Sequence, residues 1–435
     1  MIGDLTFTQN SQKTPAGGKL AFCRKYDIWL IMLLAFFVRI IGYKWMGYTN
    51  FPEFYRDYYM VSGIAHGTQA VLLGPPSMLH GFHFGPFYYY SMLPFFLLFG
   101  GHPFGLIFTG IVFSVLTVYV FFKILLLWSN NRGLALAGAL FTALSVYSLH
   151  LASYTSNPNF LPLFVLWYFY YLTKILGGAK NKDYILLGLA FGLATQLHAT
   201  AMIVLPLVTI TTLIINKYRP RIKTVAIFLA TVVLTYLPYL FYECTHRFTN
   251  FSRLFILGTK ELGGRHLGAG LYAIWNFFQG TLTPFNYWYS YSNIQPNILY
   301  LVVAAAALFV LFDLLYKIFK KQKGAQTNVK ISKEGLTIIL SWIFFTCAVL
   351  LMFDRGVHDH YIIILWPVPM IILAYAVFWM KARFNIFASL IMLIVVTSLL
   401  QIYSFYQFGR TPWSAFWPEY QNHYQNQPGV SEIGS

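Results

Sequence analysis

Runs of about 20 apolar residues recur along the whole chain, and no other feature restricts its fold so tightly. They are Ile28–Tyr43, Phe104–Trp128, Gly133–Ala152, Phe160–Leu176, Tyr184–Leu197, Ala199–Asn216, Thr224–Tyr242, Asn297–Phe319, Gly335–Phe353, Tyr361–Met380 and Phe384–Phe405. A helix of this length crosses the hydrocarbon core of a bilayer with its backbone polar groups satisfied internally. Composition agrees. Of 435 residues, 58% are hydrophobic and 10% are charged, against roughly 25% charged in soluble domains. So few charges cannot cover a soluble surface of this size, which excludes a soluble multidomain enzyme. The expectation is an all-α polytopic membrane protein with eleven transmembrane helices.

A twelfth run, Phe84–Phe99, is shorter, contains Pro94 and opens on a tyrosine run. It reads as an interfacial or re-entrant helix in the first outer loop, because aromatic residues favour the headgroup level. Charge supports that threading. With the N-terminus cytoplasmic and Phe84–Phe99 not crossing, twenty-one of the 30 Lys and Arg residues fall on the inner side, as the positive-inside tendency requires. Much of the net charge of +17 is then an orientation signal. The C-terminus falls outside. The organisation expected is a cytoplasmic segment 1–27, a transmembrane domain 28–405 with outer loops 44–103, 153–159, 243–296 and 354–360, and a short outer tail 406–435. No cleavable signal pattern precedes the first run, which reads as a retained helix in the plasma (inner) membrane.

Acidic residues and histidines gather on the outer side, where topology does not call for them. Asp57 lies in an aromatic stretch beside Arg56. An aspartate whose pKa is lifted by an apolar setting can take a proton from an incoming hydroxyl; paired with Arg56 or Lys44 it is a solvated loop residue. Glu53, four residues earlier, shares a helical face with Asp57 or caps that helix. The second and third outer pieces hold Asn157 and, at a hairpin apex, His198. Arg39 lies near the outer end of the first helix, either snorkelling to the interface or facing the outer cavity. His83 stands in the first outer loop, and Lys260 and Arg265 in a Gly-containing loop suited to closing over an anion. Arg355, His358 and His360, followed by Tyr361, supply donors and positive charge for a phosphate at the membrane surface. No cofactor is called for. A divalent metal on Asp354, His358, Asp359 and His360 is the less favoured reading, since tight ligand spacing is missing.

Taken in order, the motifs are Arg39, Arg56-Asp57-Tyr58-Tyr59, Gly85-Pro86-Phe87-Tyr88-Tyr89-Tyr90, Gly188-Leu189-Ala190-Phe191-Gly192-Leu193-Ala194-Thr195-Gln196, Pro206, and His360-Tyr361 before Pro367. The set resembles integral-membrane glycosyltransferases of the GT-C type, in particular the dolichyl-phosphate-mannose protein mannosyltransferase and aminoarabinose transferase-like group. The resemblance implies transfer of a sugar from a polyprenyl-phosphate carrier to an envelope or protein acceptor outside the cytoplasm, with inversion at the anomeric carbon. Asp57 matches the family's loop aspartate, the general base. Arg355, His358, His360, Lys260, Arg265 and His198 become candidates for holding the lipid phosphate, and Asn157 for a sugar hydroxyl. The chain departs from the pattern in three places. Tyr58 stands where many members carry a second acid, Asn157 lies in a second loop that is acidic in some relatives, and His198 replaces a lysine.

A rival reading is a transporter or flippase of a lipid-linked or anionic substrate. Transporters put ionisable groups near mid-bilayer on broken helices. Here the runs are nearly free of charge and the polar groups gather on one face, which favours surface chemistry. No nucleic acid partner is expected.

Overall fold

The computed structural model describes residues 18–43, 52–77, 82–178, 180–253, 331–352 and 359–384, with scattered helical positions between 391 and 402. Among them every named element is helical; the one strand-like feature is an isolated bridge between Pro76 and His83. The helices are α1 Gly18–Tyr43, α2 Pro52–Ala65, α3 Phe87–Leu98, α4 Phe104–Ser129, α5 Arg132–Leu144, α6 Val146–Ser153, α7 Leu161–Leu176, α8 Asn181–Thr195, α9 Ala199–Ile215, α10 Ile222–Thr235, α11 Leu237–Thr245, α12 Lys333–Leu351, the short α13 Asp359–Ile362, and α14 Pro367–Phe384.

Among the described residues three helices are long and apolar enough to cross a membrane: α4, α12, and α7 together with the 3-10 turn Asn157–Phe160 that leads into it. The number rises to five if each of two bent pairs is one span. The expected run Asn297–Phe319 and most of Phe384–Phe405 lie outside the described residues. At 12 residues α3 rises only about 18 Å, well short of a hydrocarbon core of about 30 Å.

Two runs expected to be continuous are broken. Gly133–Ala152 bends by 51° between α5 and α6, and Thr224–Tyr242 bends by 69° between α10 and α11. Pro238 accounts for the second, since it lacks the N–H that a continuous helix would use. At the first, Ser145 adopts an extended conformation and its hydroxyl accepts from Ser148 N, capping α6. The break frees the Ala143 carbonyl, and Arg39 satisfies it.

Arg39 is 1% exposed. It donates to Ala143 O at 3.0 Å, Ser148 Oγ at 2.8 Å, Ser114 Oγ at 2.8 Å and Ala35 O at 2.9 Å. Arg39 therefore knits α1 to α4, α5 and α6. A buried cation of this kind persists because its donors are matched by acceptors.

The core runs through α4, α5, α7 and α14, and α8 lies between α7 and α10. Gly188 and Gly192 let α10 come close: a Cβ on Gly192 would stand 2.1 Å from Thr235 Oγ1. This is the small-xxx-small packing of membrane helices. On the opposite side α10 has no buried residue, and Leu229, Val233 and Leu234 are exposed, as a lipid-facing helix requires.

Candidate active site

Helix α2 begins with Pro52 at its first position and Glu53 in its first turn, both suited to a helix N-terminus. Phe54, Asp57 and Val61 form its buried stripe, which packs on α3. Asp57 thus occupies a core position on an otherwise apolar face and is 0% exposed. Glu53, expected to share its face, is exposed.

Both carboxylate oxygens of Asp57 are engaged. Arg56 donates to Oδ1 from Nε at 2.9 Å and from Nη2 at 2.7 Å, and the Tyr88 hydroxyl donates to Oδ2 at 2.6 Å. Tyr88 is held by the second residue position of α3 and by the Phe160 ring, 5.3 Å away between centroids. Burial pushes the Asp57 carboxyl up to about 6, against the pull of the Arg56 charge and the Tyr88 and Arg56 hydrogen bonds. Burial and the neighbouring carboxylate hold Tyr88 well above the ordinary tyrosine range, so it remains a donor.

A second group of candidates meets around His198, in the turn between α8 and α9. Its ring stacks on Phe84 at 6.2 Å and lies 5.8 Å from His360 and 5.6 Å from Tyr361. The Thr200 backbone N–H donates to Nδ1 at 3.2 Å, capping α9. Nδ1 is therefore an acceptor, and the neutral ring carries its proton on Nε2. Burial, with His360 adding to it, lowers the His198 pKa to about 3. The sequence suggested a donor or a cation here; the geometry selects the neutral donor. Asn157 gives its amide to Leu197 O at 2.6 Å, so it braces the same turn. The backbone of His83 is clamped from both sides by Asn250, which accepts from His83 N at 2.7 Å and donates to His83 O at 3.0 Å.

One short segment joins the two groups. Phe84 touches His198, and four residues later Tyr88 holds Asp57. Between them the fully buried Gln196 accepts from Phe87 N at 3.2 Å while its amide donates to Gly192 O at 3.2 Å and Thr235 O at 2.9 Å. A Cβ at Gly85 would fall 2.3 Å from Gln196 Oε1, which is why glycine stands there. Tyr88 and Gln196 stand within the sequence motifs with no role assigned to them there, and Asn250 was not singled out. Arg39 belongs to the helix packing described above and not to either group. Lys260, Arg265, Arg355 and His358 lie outside the described residues. Among the described residues no three metal-ligating side chains converge.

With this geometry in view, residues 83–242 match the profile of the dolichyl-phosphate-mannose-protein mannosyltransferase family. The match takes in Tyr88, Gln196 and His198 and begins after Asp57. The fold is that of the GT-C type membrane glycosyltransferases, the class that the sequence motifs resemble. The apo oligosaccharyltransferase of Archaeoglobus fulgidus superposes with a TM-score of 0.56 at 10% identity, covering 95% of this chain and 60% of that one. Oligosaccharyltransferase AglB from the same organism, in complex with an inhibitory peptide and a dolichol-phosphate, gives 0.53 at 11% identity, with 94% and 59% covered. ArnT from Cupriavidus metallidurans bound to undecaprenyl phosphate gives 0.51 at 12% identity, with 80% and 59% covered. The chain spans about three fifths of the length of these structures. No curated protein matches it.

Proposed function

We propose that the protein is a glycosyltransferase that moves a sugar from a polyprenyl-phosphate carrier to an acceptor on the outer face of the plasma (inner) membrane. The observation that carries this reading is Asp57, a carboxylate buried on the apolar face of α2 and held by Tyr88 and Arg56. Its raised pKa suits a general base, which works best near ambient pH. The family profile supports the reaction class, and AglB and ArnT, which share the fold, are seen with dolichol-phosphate and undecaprenyl phosphate.

In this mechanism the acceptor hydroxyl displaces Arg56 from Oδ1, since the Arg56 side chain is 30% exposed and Tyr88 is fully buried. Tyr88 keeps Oδ2 and fixes the carboxylate plane. Asp57 takes the hydroxyl proton as the acceptor oxygen attacks the anomeric carbon and the bond from that carbon to the phosphate oxygen breaks. Direct displacement inverts the anomeric configuration. Charge gathering on the departing phosphate meets the Nε2–H of His198 and the neighbouring His360 and Tyr361, with Lys260, Arg265, Arg355 and His358 as further donors.

The test compares lipid extracts of cells carrying the wild-type chain with cells carrying Asp57→Asn. Accumulation of a polyprenyl-phosphate sugar and loss of one envelope glycan in the variant are expected. Identical lipid and glycan pools would remove the proposal.

A further inference from the structure

Six cations gather at the end of the bundle away from His198. Helices α8 and α10 lie side by side, Gly188 against Phe228 and Thr231, and Gly192 against Thr235. This register sets Lys180 and Lys182, at the start of α8, level with Arg221 and Lys223, at the start of α10. In the connection from α9 to α10, Lys217, Arg219 and Arg221 are exposed while Tyr218 and Pro220 between them are half-buried. Tyr218 fastens that connection to the first turn of α8, its hydroxyl 2.7 Å from that of Tyr184. All six cations are exposed, and none forms an ion pair among the described residues. Asp183, the acid beside Lys182, is taken by Lys174 Nζ at 3.1 Å and Lys180 N at 3.0 Å. Lys333 ties α12 to the same end, donating to Ile215 O at 3.1 Å; it is followed by Glu334 and stands outside the six. Orientation in a membrane counts such charges but does not require them to share one face.

An apolar collar accompanies the cations. Ile222, between Arg221 and Lys223, is 89% exposed, Ile214 is 69% exposed, and Ile185 and Ile215 are exposed beside them. Acyl chains accept such a surface where water does not. With the isoleucines in hydrocarbon, the cations stand at the level of the lipid headgroups. We propose that this face binds anionic phospholipids. Their phosphodiester oxygens accept hydrogen bonds from the six cations, and their acyl chains lie along the isoleucines. A soluble acidic protein would leave the collar in water, and a free phosphate ion would leave it bare. Sugar transfer at Asp57 makes no use of this face, and the inference stands apart from that reading.

The test titrates the purified full chain in detergent with phosphatidylglycerol or phosphatidylcholine of identical acyl chains and reads bound lipid by native mass spectrometry. Phosphatidylglycerol is expected to bind at least about tenfold more tightly in about 50 mM ammonium acetate, and the preference to shrink in about 500 mM. A variant joining Lys182→Gln, Arg221→Gln and Lys223→Gln is expected to bring the two lipids within about threefold of each other. A control joining Lys123→Gln, Arg247→Gln and Arg253→Gln makes the same change in net charge away from this face and is expected to keep the preference. Glycerophosphoglycerol, the headgroup without acyl chains, is expected not to compete at the concentration of the lipid. Equal binding of the two lipids, an unchanged preference in the first variant, an equal loss in the control, or competition by the bare headgroup overturns the proposal. No sugar donor is present, so failure of the transfer reading would leave the result standing.

Discussion

The Tyr88 hydroxyl donates to Asp57 Oδ2 at 2.6 Å, and neither side chain is reached by solvent. A short hydrogen bond to an ionised oxygen is among the stronger polar contacts available to a protein. It favours the charged carboxylate, whereas burial disfavours it, and the balance leaves Asp57 at about 6. Removing the donor shifts that balance. Tyr88→Phe is expected to raise the pKa of Asp57, moving the acid limb of the transfer rate profile to higher pH by roughly one unit. A pH-rate series for wild type and variant checks this, and an unmoved limb counts against Asp57 as the titrating base.

The same pKa has a consequence for stability. Asp57 titrates higher when folded than its ordinary value near 4. Its stabilising contribution is therefore complete below pH 4 and lost as pH rises through about 6. Asp57→Asn, neutral at every pH, is expected to gain on the order of 1–3 kcal/mol over wild type at pH 8 and to lose that gain by pH 4. Thermal unfolding in one lipid system at both pH values measures the difference.

His198 caps α9 through Nδ1 and presents Nε2–H. Asparagine is a good N-cap but lacks the second donor. His198→Asn is expected to keep the thermal midpoint within a few degrees while slowing transfer by about 10²-fold, the loss typical of one removed transition-state donor. Since His198 is already neutral, its removal leaves the pH profile unchanged between pH 5 and 8.

Arg39 is different in kind. Arg39→Met leaves Ala143 O, Ser114 and Ser148 without their buried donor and is expected to cost about 2–4 kcal/mol of stability. The folded fraction retains the wild-type KM for donor. Unfolding midpoints combined with kinetics normalised to folded protein separate the two.

How far the sequence carried the structure follows from particular residues. Hydropathy revealed the apolar helices because the bilayer demands them, and Pro238 offered a visible cause for one break. Ser145 offered none, because its extended conformation depends on a cap and on Arg39, a hundred residues away. Asp57 was legible as an acid in an aromatic stretch. Tyr88 was not, because three consecutive tyrosines read as an interfacial belt and only the phase of α3 selects the one that meets α2. Gln196, two residues before His198, closed a motif but received no role; a carboxamide between apolar runs was the available signal. Arg39 was seen but not placed, since spacing along one helix cannot say whether a side chain points to a cavity or to its neighbours.

The most direct measurement is sugar transfer by purified protein in lipid, from a polyprenyl-phosphate donor to acceptor, comparing wild type with Asp57→Asn. Wild-type activity is expected to rise with pH through about 6 and then level. The variant, folded and inserted as wild type is, is expected to fall by at least about 10³-fold across the range. Undiminished transfer by Asp57→Asn would contradict the assignment of Asp57 as the base.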